Sequence, residues 1–477
     1  MTELCDLGAV ELRRMIGARE IFPVELLNAC RQRIKRVNPA LNAIVSTCWD
    51  RAEAEAVQAE KAVRGGEPLG PLHGIPIGIK DTQSTAGLRT TFGSPIYAEH
   101  VPEADERMVA AVRRAGAIVV GKTNVPEFGA GANTTNAVFG ATGNPFAQER
   151  TCGGSSGGSA VALATGMLPL ATGSDTGGSL RTPAAFCGVV GFRTSPGLVP
   201  VNHYDIGWSP LSVHGPIARD VADTALMLSV IAENGPLDPL SGPVDSTSFV
   251  DPPETDLGAI RVAFSTDLGF APVDPGIRRA FQRVVKETRE WFAVADEREP
   301  PLEDADEVFE VLRGIHFLAS HGERYRTQID KLGPNIITNI KQALGYGIED
   351  AARAQTAHTA LYRRFVGFMR GYDVLVTPAV TVPPFPHADL YPAHIDGQPV
   401  RTYFHWLALS YGITLTAHPS IAIPCGLDET GTPFGIQLCG RRGGDRELLG
   451  IAAAFERRLA TISALGRPVP ELEPLAA

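Results

Sequence analysis

Long apolar runs are missing from this 477-residue sequence. Nowhere do about 18 apolar residues follow one another, so no membrane-spanning helix is expected. Basic blocks are missing as well. The chain has 43 Lys and Arg against 53 Asp and Glu, a formal net charge of −10. Such a surface repels phosphate backbones and argues against direct nucleic-acid binding. The short pairs Arg363-Arg364 and Arg441-Arg442 read as solvated faces. Cysteine is sparse: seven residues, widely scattered, with no CxxC pair. That excludes a disulfide framework and a zinc site, and it fits a reducing cytoplasm. The N-terminus, Met1-Thr-Glu-Leu-Cys-Asp6, has neither a basic start nor an apolar core, so a secretory signal is not expected. There is no internal repeat and no long low-complexity segment.

What is present is an alternation of strand and helix patterns. The first 60 residues read as helical, with Ala9, Leu12, Met15 and Ile16 at helical spacing, Pro23 opening a second helix, and 50–63 rich in good helix formers. Short apolar runs at 74–80, 117–120, 168–172, 261–264, 373–378, 420–424 and 434–438 read as strands. Helical stretches lie at 104–114, 274–292, over most of 303–370, and at 446–459. Residues 235–256, rich in Pro, Asp, Ser and Gly, form a connector. The alternation predicts a layered α/β fold, and one large domain over 1–477 is favoured over two.

The chemistry concentrates in two glycine clusters, Cys152-Gly-Gly-Ser-Ser-Gly-Gly-Ser159 and Gly173-Ser-Asp-Thr-Gly-Gly-Ser-Leu-Arg181. Both are followed by helix formers, so both present free N–H groups where negative charge is stabilised. Neither has the Gly-Lys-[Ser/Thr] ending of a phosphate loop or a clean GxGxxG spacing. The other anion that fits is the oxyanion of an acyl-transfer intermediate, which needs a nucleophile beside the N–H groups. Ser179 follows Gly177-Gly178 directly. A serine hydroxyl needs a base, yet few histidines lie near the clusters and no Gly-x-Ser-x-Gly elbow appears. A lysine serves if burial leaves it neutral. Lys80 ends an apolar strand; bare chemistry leaves open whether it is that base or a surface residue.

These residues resemble the amidase signature family. Gly153-Gly-Ser-Ser-Gly-Gly-Ser-Ala160 and Gly173-Ser-Asp-Thr-Gly-Gly-Ser-Leu-Arg-Thr-Pro183 are similar to its defining stretch. Leu72-His-Gly-Ile-Pro-Ile-Gly-Ile-Lys-Asp81 resembles its lysine segment, and Gly121-Lys-Thr-Asn-Val-Pro-Glu127 a further one. The similarity extends to 38–43 and 418–438, with a signature core at 65–230 and its weakest part across 235–415. The resemblance implies an α/β/α sandwich around a large mixed sheet. It implies a nucleophile at Ser179, a bridging Ser155 held by a cis peptide bond, and Lys80 as the base acting through Ser155. It further implies an oxyanion hole from the N–H groups of Thr176, Gly177 and Gly178, and supporting roles for Asp175, Arg181 and Ser156. No metal or cofactor is implied. Ser174 stands where threonine is commoner and Leu180 where isoleucine is; neither is expected to touch a catalytic role.

The expected activity is hydrolysis of a small-molecule carboxylic amide through an acyl-enzyme. Two alternatives remain. One is the A subunit of a tRNA-dependent glutamine amidotransferase; its usual Tyr-Asp-Gly-Val-Arg-Tyr-Gly stretch is poorly matched by Ser320-His-Gly-Glu-Arg-Tyr-Arg326. The other is a non-catalytic binding protein, which would need a broken triad. Substrate choice is expected from the variable, mostly helical region 300–415, whose aromatics include His316, Phe317, Tyr325, Tyr346, Phe385, Tyr403, His405, Trp406 and Tyr411. Phe128 and Gly129 are pocket candidates by resemblance. A hydrophobic or aryl amide, a cytoplasmic enzyme and a possible homodimer complete the expectation.

Overall fold

The computed structural model describes residues 3–475. One mixed sheet of eleven strands forms its frame. In chain order these are β1 (Ile44–Thr47), β2 (Pro76–Lys80), β3 (Ile118–Thr123), β4 (Leu170–Asp175), β5 (Val190–Arg193), β6 (Val213–Ala218), β7 (Arg261–Phe264), β8 (Val294–Glu297), β9 (Val374–Pro378), β10 (Ser420–Leu427) and β11 (Pro433–Cys439). Their spatial order is β1-β3-β2-β4-β6-β5-β10-β11-β9-β7-β8. β2 runs parallel to β3 and β4, and β7 parallel to β8 and β9, while the centre is antiparallel. Every residue of β2, β3, β6, β9 and β11 is buried. A strand shows that pattern only when both faces are covered, so helices cover the sheet on both sides, as the α/β/α expectation requires.

The two glycine clusters sit where the pattern placed them, each at the entry to a helix. The first leads into α1 (Gly157–Ala164) and the second links β4 to α2 (Arg181–Cys187). Both helices are buried along their whole length. Small residues are what permit that depth, and the loops before them are thereby carried to the C-terminal end of β2.

Each strand read from the sequence is found within a few residues. The helical run at 303–370 resolves into three helices, α3 (Ala305–Thr327), α4 (Pro334–Ala343) and α5 (Ile348–Met369). The connector 235–256 holds only a short 3-10 turn at Ser246–Phe249. Among the described residues no helix is long and apolar enough to cross a membrane.

Candidate active site

The centre is a lysine taken out of water. Lys80 is the last residue of β2 and is fully buried, with its N–H bonded to Thr172 Oγ1 of neighbouring β4 at 2.9 Å. Its Nζ lies 2.8 Å from Ser155 Oγ and 2.9 Å from Ser174 Oγ. Burial lowers its pKa from 10.5 to about 7, with the Asp175 and Glu106 carboxyls opposing. A half-neutral amine at neutral pH can take a hydroxyl proton through its lone pair while its own hydrogens hold a second oxygen. Ser174 therefore corrects the sequence reading: the position that departs from the family pattern lies directly on the lysine. The other buried lysine nearby, Lys122, instead bonds the Gln83 carbonyl and the Thr85 hydroxyl, and no serine.

Ser155 reaches Lys80 from the loop before α1, whose Gly154–Ser155 peptide is cis. The two clusters are tied together by the Ser156 N–H, which donates to the Ser179 carbonyl at 3.2 Å. Ser156 Oγ itself is buried without a partner among the described residues. Ser179 is half-buried and lines, with Ser155, Ser174, Thr176 and Gly177, a cavity of about 280 Å³. Gly129 closes over the same point: with φ +70°, an added Cβ there would stand 3.3 Å from Ser155 Oγ. Phe128 lines the cavity, its ring centroid 4.6 Å from that of His321.

Asp175 shapes the loop that carries Ser179. Its carboxylate accepts from the N–H groups of Gly178 (3.0 Å) and Leu180 (3.1 Å), and pairs with Arg181 (2.8 Å) and Arg193 (3.2 Å), all fully buried. Burial alone would raise its pKa, but the two guanidiniums outweigh this and hold the carboxyl well below the usual range. Gly178, with φ +112°, has no room for a Cβ, which would fall 2.5 Å from Ser410 Oγ. Its N–H is committed to Asp175. The N–H groups of Thr176 and Gly177, in contrast, make no hydrogen bond among the described residues. Arg181 is further held by Ser410 O, Gln437 Oε1 and Thr414 Oγ1. Asp175→Ala would strand two buried guanidiniums, so a loss of about 3–5 kcal/mol is expected. Urea unfolding of the variant checks this; a change below about 1 kcal/mol would mean that the aspartate braces nothing.

The aromatic reading of 300–415 divides. His316, Phe317 and Tyr403 line the cavity. Trp406 packs in the interior against Phe186 and Phe385, and Tyr411 stacks on Phe309 at 4.4 Å. Sequence reasoning missed Phe309, Phe404, His203, Tyr204 and His214, all of which line the cavity, and missed Arg193. Phe309 was findable: it repeats with Arg313 and Phe317 at four-residue intervals on one helix face. His214 faces Ser174 across the β6–β4 ladder, a register that no local pattern announces. Among the described residues no group of three or more His, Cys, Asp or Glu side chains is arranged to hold a metal ion.

Known proteins share this frame. Residues 25–449 match the family model described as Amidase. The chain is 34% identical over 456 residues to an acylamidase of Rhodococcus erythropolis, covering 94% of this chain and 95% of that protein. It is 33% identical over 472 residues to the A subunit of the glutamyl-tRNA(Gln) amidotransferase of Thermosynechococcus vestitus, covering 94% and 97%. The solved structure of a bacterial aryl acylamidase of the amidase signature family superposes with a TM-score of 0.87 at 26% identity, over 97% of this chain and 99% of that one.

Proposed function

We propose, from the premise that this chain belongs to the amidase family and is an amide hydrolase, that Ser179, Ser155 and Lys80 perform the hydrolysis through an acyl-enzyme. The observation that carries the assignment is the buried Lys80 Nζ, 2.8 Å from the Oγ of Ser155, which lines the same cavity as Ser179. Ser179 Oγ attacks the amide carbonyl carbon. Its proton passes to Ser155 Oγ, and the Ser155 proton passes to Lys80 Nζ. The developing oxyanion meets the free N–H groups of Thr176 and Gly177, each such donor contributing about 3 kcal/mol. Gly178 serves instead as the anchor of the loop, because its N–H is held by Asp175. Collapse of the tetrahedral intermediate breaks the C–N bond, and the proton returns through Ser155 to the leaving nitrogen. Water then attacks the Ser179 ester by the same relay in reverse.

The substrate is proposed to be a hydrophobic or aryl amide. Phe92, Phe128, Phe309, Phe317, Tyr403 and Phe404 around the cavity support this. Seven unpaired cysteines, most of them buried, support a reducing, cytoplasmic setting. A release assay over anilides, fatty amides and glutamine tests the substrate class. Preference for anilides supports the proposal. Glutamine hydrolysed far better than any anilide would overturn it in favour of the amidotransferase reading, which the 33% identity to such a protein favours.

A further inference from the structure

One cavity-lining charge plays no part in the hydrolysis so far described. Arg313 projects from the same face of α3 as Phe309, one helical turn, about 5.4 Å, further on. Phe309 in turn touches the oxyanion loop: a Cβ at Gly177 would lie 3.2 Å from its Cζ. The Arg313 residue is only 7% exposed. Four aromatic rings surround its guanidinium, those of Phe317 (4.5 Å), Tyr403 (5.3 Å), Phe404 (5.4 Å) and Phe309 (5.8 Å).

Its polar partners are all neutral. Nε donates to Asn339 Oδ1 at 3.3 Å and Nη2 donates to the Tyr403 hydroxyl. Nη1 donates to nothing among the described residues, and no carboxylate there lies within 4.0 Å of the group. Two acids of the same helix, Asp306 and Glu310, are engaged elsewhere. Asp306 accepts from Tyr411 and Arg401, and Glu310 from His405. Asp205, the one carboxylate lining the cavity, accepts from Ser320. A buried charge without a counter-ion is costly. Cation–π contacts offset part of that cost, and the Nη1 group of this cavity-lining residue is left without an acceptor among the described residues.

Resting on the amidase reading, we infer that Arg313 is an anion subsite and that the natural substrate is an amide carrying a carboxylate, joined to the scissile bond by an apolar or aryl segment lying along Phe309 and Phe317. A carboxylate oxygen can accept a charge-assisted hydrogen bond from the unpartnered Nη1. A phosphate dianion is the poorer match, because Arg313 is the one Lys or Arg lining the cavity and Asp205 is already there.

The test uses two matched pairs, glutaric acid mono-4-nitroanilide with its methyl ester, and 4-acetamidobenzoate with its methyl ester. Rates are normalised by fluorophosphonate titration of the active serine. Wild type is expected to prefer the acid over the ester by about 10-fold or more in kcat/KM in at least one pair, chiefly through KM. Arg313→Met should lower that acid-to-ester ratio by about 100-fold, and Arg313→Lys should keep part of it. Equal handling of acid and ester by wild type overturns the subsite. So does an equal fall for both in Arg313→Met, which would make the arginine only a brace of α3. Calorimetric binding of 4-phenylbutyrate separates this inference from the amidase reading. If wild type cleaves no amide yet binds that acid and Arg313→Met does not, the subsite stands and the hydrolase assignment fails; no binding by wild type sinks the subsite alone.

Discussion

Ser179→Ala is expected to lower kcat/KM for the best amide by a factor on the order of 10⁵. The size follows from how the residues act together. In the proposed mechanism, Lys80 and Ser155 form a relay that takes up the nucleophile's proton. Without a hydroxyl at 179 no acyl-enzyme can form, and what would persist is binding plus the Thr176 and Gly177 N–H groups acting on direct attack by water. The variant should fold normally, since Ser179 is half-buried and its Oγ makes no hydrogen bond among the described residues, while its carbonyl still accepts from Ser156. Fluorophosphonate labelling should be lost in parallel. A residual rate within about 100-fold of wild type would remove Ser179 as the nucleophile. The hydroxyl to examine next would be Ser155, the one already on the lysine.

The glycine clusters, the lysine segment and seven of the eleven strands of the sheet were legible in the sequence, because each is a local signal: a composition, a short apolar run, a spacing. The strands that were missed break those signals. β5 reads Val190-Gly-Phe-Arg193 and β6 reads Val213-His-Gly-Pro-Ile-Ala218. Glycine, proline and charged or polar residues interrupt the apolar run, and both are strands because β4, β10 and the covering helices leave them no alternative. β1 and β8 are four-residue strands at the two ends of the sheet, mostly outside the core, each close behind a helix whose pattern runs on into it.

The site divides the same way. Lys80, Ser155 and Ser179 lie in motif-bearing segments, but what makes each useful is not local. The partner of Lys80 at position 174 comes from the adjacent strand. Asp175 keeps its charge through Arg193, which stands in a strand the pattern does not show. Arg313 and its ring of aromatics draw on α3 and on residues 403–404, some ninety residues apart in the chain. From composition alone Arg313 is one of many helix-surface arginines. Its meaning depends on the missing counter-ion, which only packing reveals.

The second large effect concerns Lys80 and carries its sign with pH. The base must be neutral to accept the Ser155 proton. With burial placing its pKa at about 7, kcat/KM should rise about tenfold per pH unit from pH 5, bend near 7 and level above it. A profile flat from pH 5 to 10 with acylation rate-limiting would rule the role out. Lys80→Met should cost about 10³- to 10⁴-fold at the plateau and abolish the bend. The same shift acts on stability. Between the folded value of about 7 and the ordinary 10.5, the unfolded chain holds a proton that the folded chain does not. Stability from this group therefore rises with pH across that window, and its penalty is complete below pH 7. Methionine removes the penalty, while orphaning the Ser155 and Ser174 hydroxyls costs about 1–3 kcal/mol each at most. At pH 6 the variant should thus unfold at a urea concentration equal to or above that of wild type, and its advantage should shrink towards pH 10. An enzyme made inactive and no less stable by the same substitution would locate the lysine's value in the chemistry. Loss of activity together with a large loss of stability at pH 6 would locate it in the fold.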